Sequence, residues 1–326
     1  MGILRKNLFH IGLLIVLMAG TMAGLHLQRA KMAVVVGIPE QQAVDGEHAV
    51  VNLPFSVELQ QFVVENYADG SPKRYASELQ IRTKTGESLH TVVEVNKPAT
   101  VEGWRIYQYS YAAGQETTPR SSILELVRDP WQPAVYLGAY LLLAGAVLLL
   151  MGSVWGRHSR LMVALLAVLA VVYVAVFKLA IEKDTLQPAL QSPWFGPHVV
   201  AYMLAYTFLG IATVMAVVGL VRKKSRVANF IDDFVGVGLA FMTVGMTFGA
   251  FWAEEAWGHY WTWDPKETWA AITWFAYLAY VHYRKYPRHR PRVAHWLLIF
   301  AFVLLQICWW GVKYLPSAQG SLHVYN

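Results

Sequence analysis

Seven runs of apolar residues divide this chain and limit what it can fold into: Leu8 to Leu27, Ala134 to Val154, Leu161 to Ile181, Val199 to Val221, Phe234 to Trp252, Thr268 to Val281 and Val293 to Val312. A helix needs about 20 apolar residues to cross a bilayer, and all but Thr268 to Val281 come close to that length. The short run must borrow from a flank. Lys266 and Glu267 resist burial at one end, so it is expected to extend through His282 and Tyr283, with Arg284 reaching the headgroups. Composition agrees, because 56% of the 326 residues are hydrophobic, 15% are charged and the mean hydropathy is +0.36, whereas soluble domains are about a quarter charged. The expected fold is a polytopic α-helical membrane protein of about seven transmembrane helices.

The net charge of +6 would suit nucleic acid if the basic residues formed a binding face, but their placement has another cause. Arg5, Lys6, Arg157, Arg160, Arg222, Lys223, Lys224, Arg226, Arg284, Lys285, Arg288, Arg290 and Arg292 precede the first run or lie in alternate connections. These are thirteen of the 27 Lys and Arg, and the short opposite connections, 182 to 198 and 253 to 267, hold only Lys183 and Lys266. That asymmetry is the positive-inside signal, so no nucleic-acid partner is expected. It places residues 28 to 132, residues 253 to 267 and the C-terminus on the outer side. The first run resembles a signal peptide, but it is long for one and lacks a convincing cleavage site, so residues 1–27 read as an uncleaved anchor. The one cysteine, Cys308, allows no internal disulfide and no Cys-x-x-Cys pair, which excludes thioredoxin-like chemistry.

Residues 28–132 change period. Phe55 to Val64, Tyr75 to Arg82, Leu89 to Val95, Trp104 to Tyr111 and Ile123 to Val127 alternate as strands do, between turn residues such as Asp69-Gly70-Ser71-Pro72, Thr85-Gly86, Asn96-Lys97-Pro98 and Ala113-Gly114. A small antiparallel β-rich domain, a sandwich or barrel, is expected between the first and second membrane spans. No catalytic constellation stands out in it. Residues 133–326 form the remaining membrane domain.

Residues 252–269 hold five of the 13 tryptophans, interleaved with Glu254, Glu255, Asp264, Lys266 and Glu267. One reading is an aromatic belt at the membrane surface, and the sharper one is a platform for a flat aromatic ligand. Trp257-Gly258-His259-Tyr260-Trp261-Thr262-Trp263-Asp264-Pro265-Lys266-Glu267 resembles the WWD signature, W-G-x-x-W-x-W-D-x-K-E, of the CcsA family of cytochrome c biogenesis proteins. Phe9-His10-Ile11-Gly12, Asp69-Gly70-Ser71-Pro72-Lys73, Val95-Asn96-Lys97-Pro98 and Gly103-Trp104-Arg105-Ile106-Tyr107-Gln108 resemble the last part of the ResB family. Together they are similar to a fused ResB/CcsA protein with a shortened ResB-like part.

The resemblance implies haem b as the bound group, and imidazole suits haem iron. His198 and His323 match the family's external histidines on either side of the tryptophan motif. His282 matches its intramembrane histidine after that motif, and His10 the one on the ResB side. All four are expected as axial ligands in two separate haem positions, because a 20-residue helix covers about 30 Å. Trp257, Trp261 and Trp263 are expected to stack on the porphyrin, with Asp264 beside them, and Trp252 and Lys266 to contact it, Lys266 through the propionates. The carboxylates of the segment are equally readable as helix caps.

The implied function is a cytochrome c synthase, or haem lyase, that delivers haem across an energy-transducing membrane and attaches it to a Cys-x-x-Cys-His apocytochrome. Thiol-reducing partners and membrane lipid complete the expected surroundings. Because the ResB-like part is short, either a separate ResB-like subunit completes the machine or this is a compact form. The alternatives are a haem chaperone or exporter that presents haem without ligating it, and a membrane scaffold with an aromatic belt.

Overall fold

The structure is a computed structural model, and it describes residues 2–111, 120–154, 159–183, 185–222 and 228–315. Seven long helices follow the apolar runs: α1 (Gly2–His26), α2 (Gln132–Val154), α3 (Ser159–Lys183), α4 (Phe195–Arg222), α5 (Ala228–Trp257), α6 (Pro265–Lys285) and α7 (Pro291–Gln306). Six of them are long and apolar enough to cross a membrane. The exception is α6, which is 21 residues long but carries Glu267 in its first turn and His282, Arg284 and Lys285 in its last. This is a multi-pass membrane protein with an inserted β domain.

Two helix boundaries differ from expectation for a shared reason. The α6 helix grows at both ends rather than only toward His282, because Asp264 caps it. The Asp264 carboxylate accepts from Lys266 N–H at 2.9 Å, Glu267 returns to accept from Asp264 N–H at 3.2 Å, and Pro265 occupies the first turn. At the other side of the tryptophan segment α5 continues to Trp257. Residues 252–269 are therefore mostly the ends of two helices, joined by a short turn at 258–264.

Within the bundle, small residues let backbones approach closely. A Cβ on Gly12 would stand 2.5 Å from Leu142 N, one on Gly138 2.8 Å from Val16 N, and one on Gly145 2.8 Å from Phe9 N. These three glycines fasten α1 to α2. Farther in, α4 and α5 pack through Phe208, Leu209, Ala212, Val235 and Leu239, with Tyr277 and Leu298 from α6 and α7 completing the core. The α3 helix lies at the periphery with most of its side chains exposed, as an apolar helix facing lipid does.

Between α1 and α2 the chain forms β1 (Gln28–Val35), β2 (Pro39–Asp45), β3 (Val50–Asn66), β4 (Pro72–Thr83), β5 (Ser88–Glu94), β6 (Ala99–Val101), β7 (Trp104–Tyr111) and β8 (Ser121–Arg128). They make one antiparallel sheet in the order β5-β4-β3-β2-β1-β8-β7-β6. Alternation along β3 sends Leu53, Phe55, Val57 and Leu59 into the core. The sheet rolls over on itself. Ser77 Oγ of β4 donates to Gln108 Oε1 of β7 at 2.6 Å and lies within hydrogen-bond reach of Ser122 Oγ of β8 at 2.8 Å, although β4 pairs with neither strand in the sheet. The five expected runs lie in β3, β4, β5, β7 and β8; β1, β2 and the three-residue β6 were not anticipated, and the expected Ala113-Gly114 turn lies outside the described residues.

Candidate functional site

The end of the bundle that carries the sheet holds a cavity of about 400 Å³, within the range of sites that bury small molecules. His198, Phe195 and Tyr202 of α4 form one wall, Met242, Met246 and Trp252 of α5 another, and Tyr260 and Trp261 of the turn lie beside Lys266 and Ala270 of α6. Leu305 of α7 and Cys308 with Trp309 complete the lining. Cys308 and Trp309 sit on a π-helical turn, Ile307–Gly311, that follows α7. Such widened turns recur at functional sites.

His198 lies in the first turn of α4, with its N–H on Trp194 O at 3.0 Å. Its Nδ1 is 2.8 Å from the carbonyl oxygen of Gly245, a contact that requires Nδ1 to carry the proton and leaves the lone pair of the neutral ring on Nε2. The ring meets Tyr202 edge-on at 4.9 Å and Trp252 at 5.7 Å between centroids. Room for it exists because position 249 is glycine: a Cβ there would stand 2.7 Å from His198 Nδ1. Gly245 and Gly249, one turn apart on α5, thus receive the imidazole. Their spacing was the signal for this contact, and it went unread among the apolar residues of the fifth run.

The remaining residues singled out from the sequence separate into groups. Trp252 and Trp261 line the cavity with Lys266. Trp257 packs on Trp252 at 5.4 Å and on His259 at 6.1 Å, outside the lining. Trp263 has φ +59° and is 71% exposed, meeting Trp261 edge-on at 6.0 Å. Asp264 is the α6 cap. Trp257, Trp261 and Trp263 therefore do not present one face, because the helix end, the left-handed residue and the cap turn them in different directions. His323 lies outside the described residues.

His10 and His282 come together at a different level. Their ring centroids are 6.1 Å apart and their planes nearly perpendicular at 86°, and both side chains are exposed at the bundle surface. Metal–imidazole bonds of about 2 Å place the centres of two rings sharing one metal roughly 6 Å apart. His282 Nδ1 lies 2.8 Å from Leu278 O, so in the neutral ring Nε2 holds its lone pair.

The chemistry-poor β domain grips the cavity from above. Glu254, 3% exposed, receives four donors: the Arg105 guanidinium as an ion pair, Tyr107 Oη at 2.8 Å, Gln132 Nε2 at 3.2 Å and Tyr136 Oη at 3.0 Å. Three of these donors converge on Oε1 and one on Oε2, so both oxygens of the buried carboxylate have partners. Burial and the neighbouring Glu254 carboxylate push the Tyr107 phenol far above its ordinary value, so it stays a donor. Arg29 donates to Gly258 O at 2.9 Å, and Gly258, at φ +72°, is pressed on the Tyr107 ring. The connection before α4 is held from both sides. Asn96 Nδ2 donates to Pro188 O at 2.7 Å, Tyr67 Oη to Leu186 O at 3.1 Å, and Gln191 Nε2 to Lys73 O at 2.8 Å, while Trp252 Nε1 donates to Ala189 O at 2.8 Å.

Comparison with known proteins agrees with this division. The profile of the family described as Cytochrome C assembly protein matches residues 134–318, and that of the ResB-like family matches residues 5–120. Proteins named Cytochrome c biogenesis protein CcsA are similar to this chain: one from Chlamydomonas reinhardtii is 32% identical over 161 residues, 44% of this chain and 45% of the relative. Another, from Guillardia theta, is 35% identical over 176 residues, 43% of this chain and 56% of the relative. A third, from Gloeobacter violaceus, is 41% identical over 124 residues, 37% of this chain and 36% of the relative. The matches span about half the length of these relatives. With the cytochrome c assembly profile covering more than half of the chain and a ResB-like segment preceding it, this protein belongs to the cytochrome c assembly family, in the form that joins ResB-like and CcsA-like parts on one polypeptide.

Proposed function

We propose that this chain acts in cytochrome c maturation as a haem lyase: it takes haem at His10 and His282, passes it to the sheet-side cavity, and holds it there for attachment to a Cys-x-x-Cys-His apocytochrome. The observation that carries the reading is the cavity in which His198, Trp252, Trp261 and Lys266 converge. A largely apolar, aromatic chamber with one imidazole, and with the Lys266 amine beside the Glu267 carboxylate, suits a flat, largely apolar macrocycle with a ligand-hungry metal whose carboxylate tails turn to Lys266.

In this reading residues 1–27 are a ResB-like membrane anchor, 28–132 an extracytoplasmic ResB-like domain and 133–326 the CcsA-like domain. The sheet, the tryptophan segment and the C-terminus face the outer side of an energy-transducing membrane. His198 would hold the iron of haem b in the cavity, with His323, which lies outside the described residues, expected as the second ligand. Trp252 and Trp261 supply the stacking faces, and Lys266 pairs with a propionate. Trp257, Trp263 and Asp264 act indirectly, by holding the turn. In the reaction the thiol of the apocytochrome adds across a vinyl group: sulfur bonds to the inner vinyl carbon and the thiol hydrogen ends on the outer one, so no oxidant is consumed. The protein's contribution is to hold the vinyl edge beside the thiols and to exclude other orientations. The nucleophiles belong to the apocytochrome, whose cysteines a thiol-reducing partner keeps reduced.

The test is to express the chain with an apocytochrome in cells lacking other maturation systems. Covalent cytochrome that depends on the chain, and falls about ten-fold or more in His198→Ala, is the expected result. Bound haem without any covalent product would favour a chaperone or exporter instead.

A further inference from the structure

Between the histidine pair and the cavity stands one aromatic contact. The Trp274 indole and the Phe9 ring are stacked, with centroids 6.1 Å apart and planes 18° from parallel. Phe9 directly precedes His10, and its backbone is pressed onto α2 at Gly145. Trp274 is 4% exposed, and its Nε1 donates to Thr243 Oγ1 at 2.9 Å. Thr243 follows Met242, and Ala270, one turn before Trp274, lines the cavity with Met242. Trp274 thus lies under the cavity on one side and against the His10 segment on the other. Along α6 it is eight residues from both Lys266 and His282, about 12 Å in each direction.

We infer that the Phe9–Trp274 stack is the partition between the two haem positions, and that a porphyrin passes from the histidine pair to the cavity only when Trp274 swings away from Phe9. The inference rests on the proposed two-site reading. The member assigned to move is the indole, whose ring is held by the stack on Phe9, by an edge-on contact with Phe275 at 5.2 Å and by one hydrogen bond to a hydroxyl. The partition therefore controls the rate of transfer and leaves the ligand sets at either end untouched.

The experiment uses the full chain in lipid nanodiscs with haem as the probe. His198→Ala, which leaves the histidine pair intact, gives the spectrum of the inner population, the part of the spectrum it removes belongs to the cavity, and transfer between the two is followed after mixing with haem. Trp274→Phe and Phe9→Leu, both of which keep an apolar side chain in place, are expected to speed transfer about ten-fold, the size of effect an aromatic pair can exert on a barrier, with final occupancies unchanged. Transfer within about two-fold of the unaltered rate in both variants, with both populations present, would overturn the partition alone. Failure of His10→Ala to remove any haem population would overturn the two-site reading and the partition with it.

Discussion

At the scale of the residue, Glu254 is the side chain whose role the sequence concealed. Among the carboxylates of a tryptophan-rich segment it read as a helix cap or a haem contact, yet it is buried under four donors, Arg105 and Tyr107 from β7 and Gln132 and Tyr136 from α2. Removing one partner of a buried ion pair leaves a desolvated charge, at about 3–5 kcal/mol. Glu254→Ala should therefore lower stability by several kcal/mol in detergent denaturation and loosen haem in the cavity, whereas Glu254→Gln, which retains an acceptor oxygen, should do less. Equal effects of the two would assign the loss to the missing charge and none of it to the acceptor oxygen that glutamine keeps. His10 and His282 were legible as a pair from their matched contexts and similar depth, and their rings meet at 6.1 Å; the resemblance supplied that pairing, since spacing within one helix says nothing about which helix lies beside it. His198 was legible as a residue next to a span; its seat against Gly245 and Gly249 depends on α4 and α5 being adjacent.

At the scale of the element, the apolar runs foretold seven helices and missed their ends. A hydropathy run stops where charge begins, but a helix stops where its backbone groups find another partner. The Asp264–Glu267 capping box starts α6 in charged sequence, and α5 runs through Glu254 and Glu255 because contacts satisfy both: Ser192 Oγ donates to Glu255 at 2.8 Å. Asp264→Ala should cost about 1 kcal/mol and release the 258–264 turn, visible as faster amide exchange over the first turn of α6. An unchanged exchange rate would show that tertiary contacts alone hold that end. The α1–α2 pair makes a second prediction. Gly12→Ala places a methyl group within contact of the α2 backbone, and overpacking of this kind costs roughly 1–3 kcal/mol. The helix should shift, separating His10 from His282, and haem at the histidine pair should fall, with haem at His198 falling after it because the cavity is filled from that pair; an undiminished haem content at both places would show that the close approach at Gly12 does not position His10.

At the scale of the whole molecule, the β domain and the membrane bundle meet through the ResB-like motifs themselves. Asp69, Lys73, Asn96, Arg105 and Tyr107 all lie in them, and all touch the connection before α4 or the tryptophan segment. The motifs looked poor in chemistry because their work is to hold the cavity's edges. Acid should weaken this hold. Hydrogen bonding from Arg74 keeps the Glu65 and Glu94 carboxyls below their ordinary value of 4.5, and hydrogen bonding from Ser71, with a smaller part from Thr185, keeps Asp69 below 3.8. Carboxyls whose folded values are depressed contribute stability that is complete above the unfolded value and lost as pH falls through the folded one. The domain should keep its thermal midpoint down to about pH 5 and lose it progressively below pH 4.5 and 3.8, and Glu94→Gln should flatten that decline; an undiminished decline would assign acid sensitivity to other groups. The sequence by itself determined the class, a multi-pass bundle with an inserted antiparallel sheet, because lipid demands long apolar helices and a sheet demands alternation, both properties of neighbouring residues. It also determined the family, through motifs that are contiguous. Only the tertiary structure decided which tryptophans face the cavity, that the sheet clamps Glu254, and that the Trp274 indole stacks on Phe9, because each depends on side chains from distant segments sharing one place.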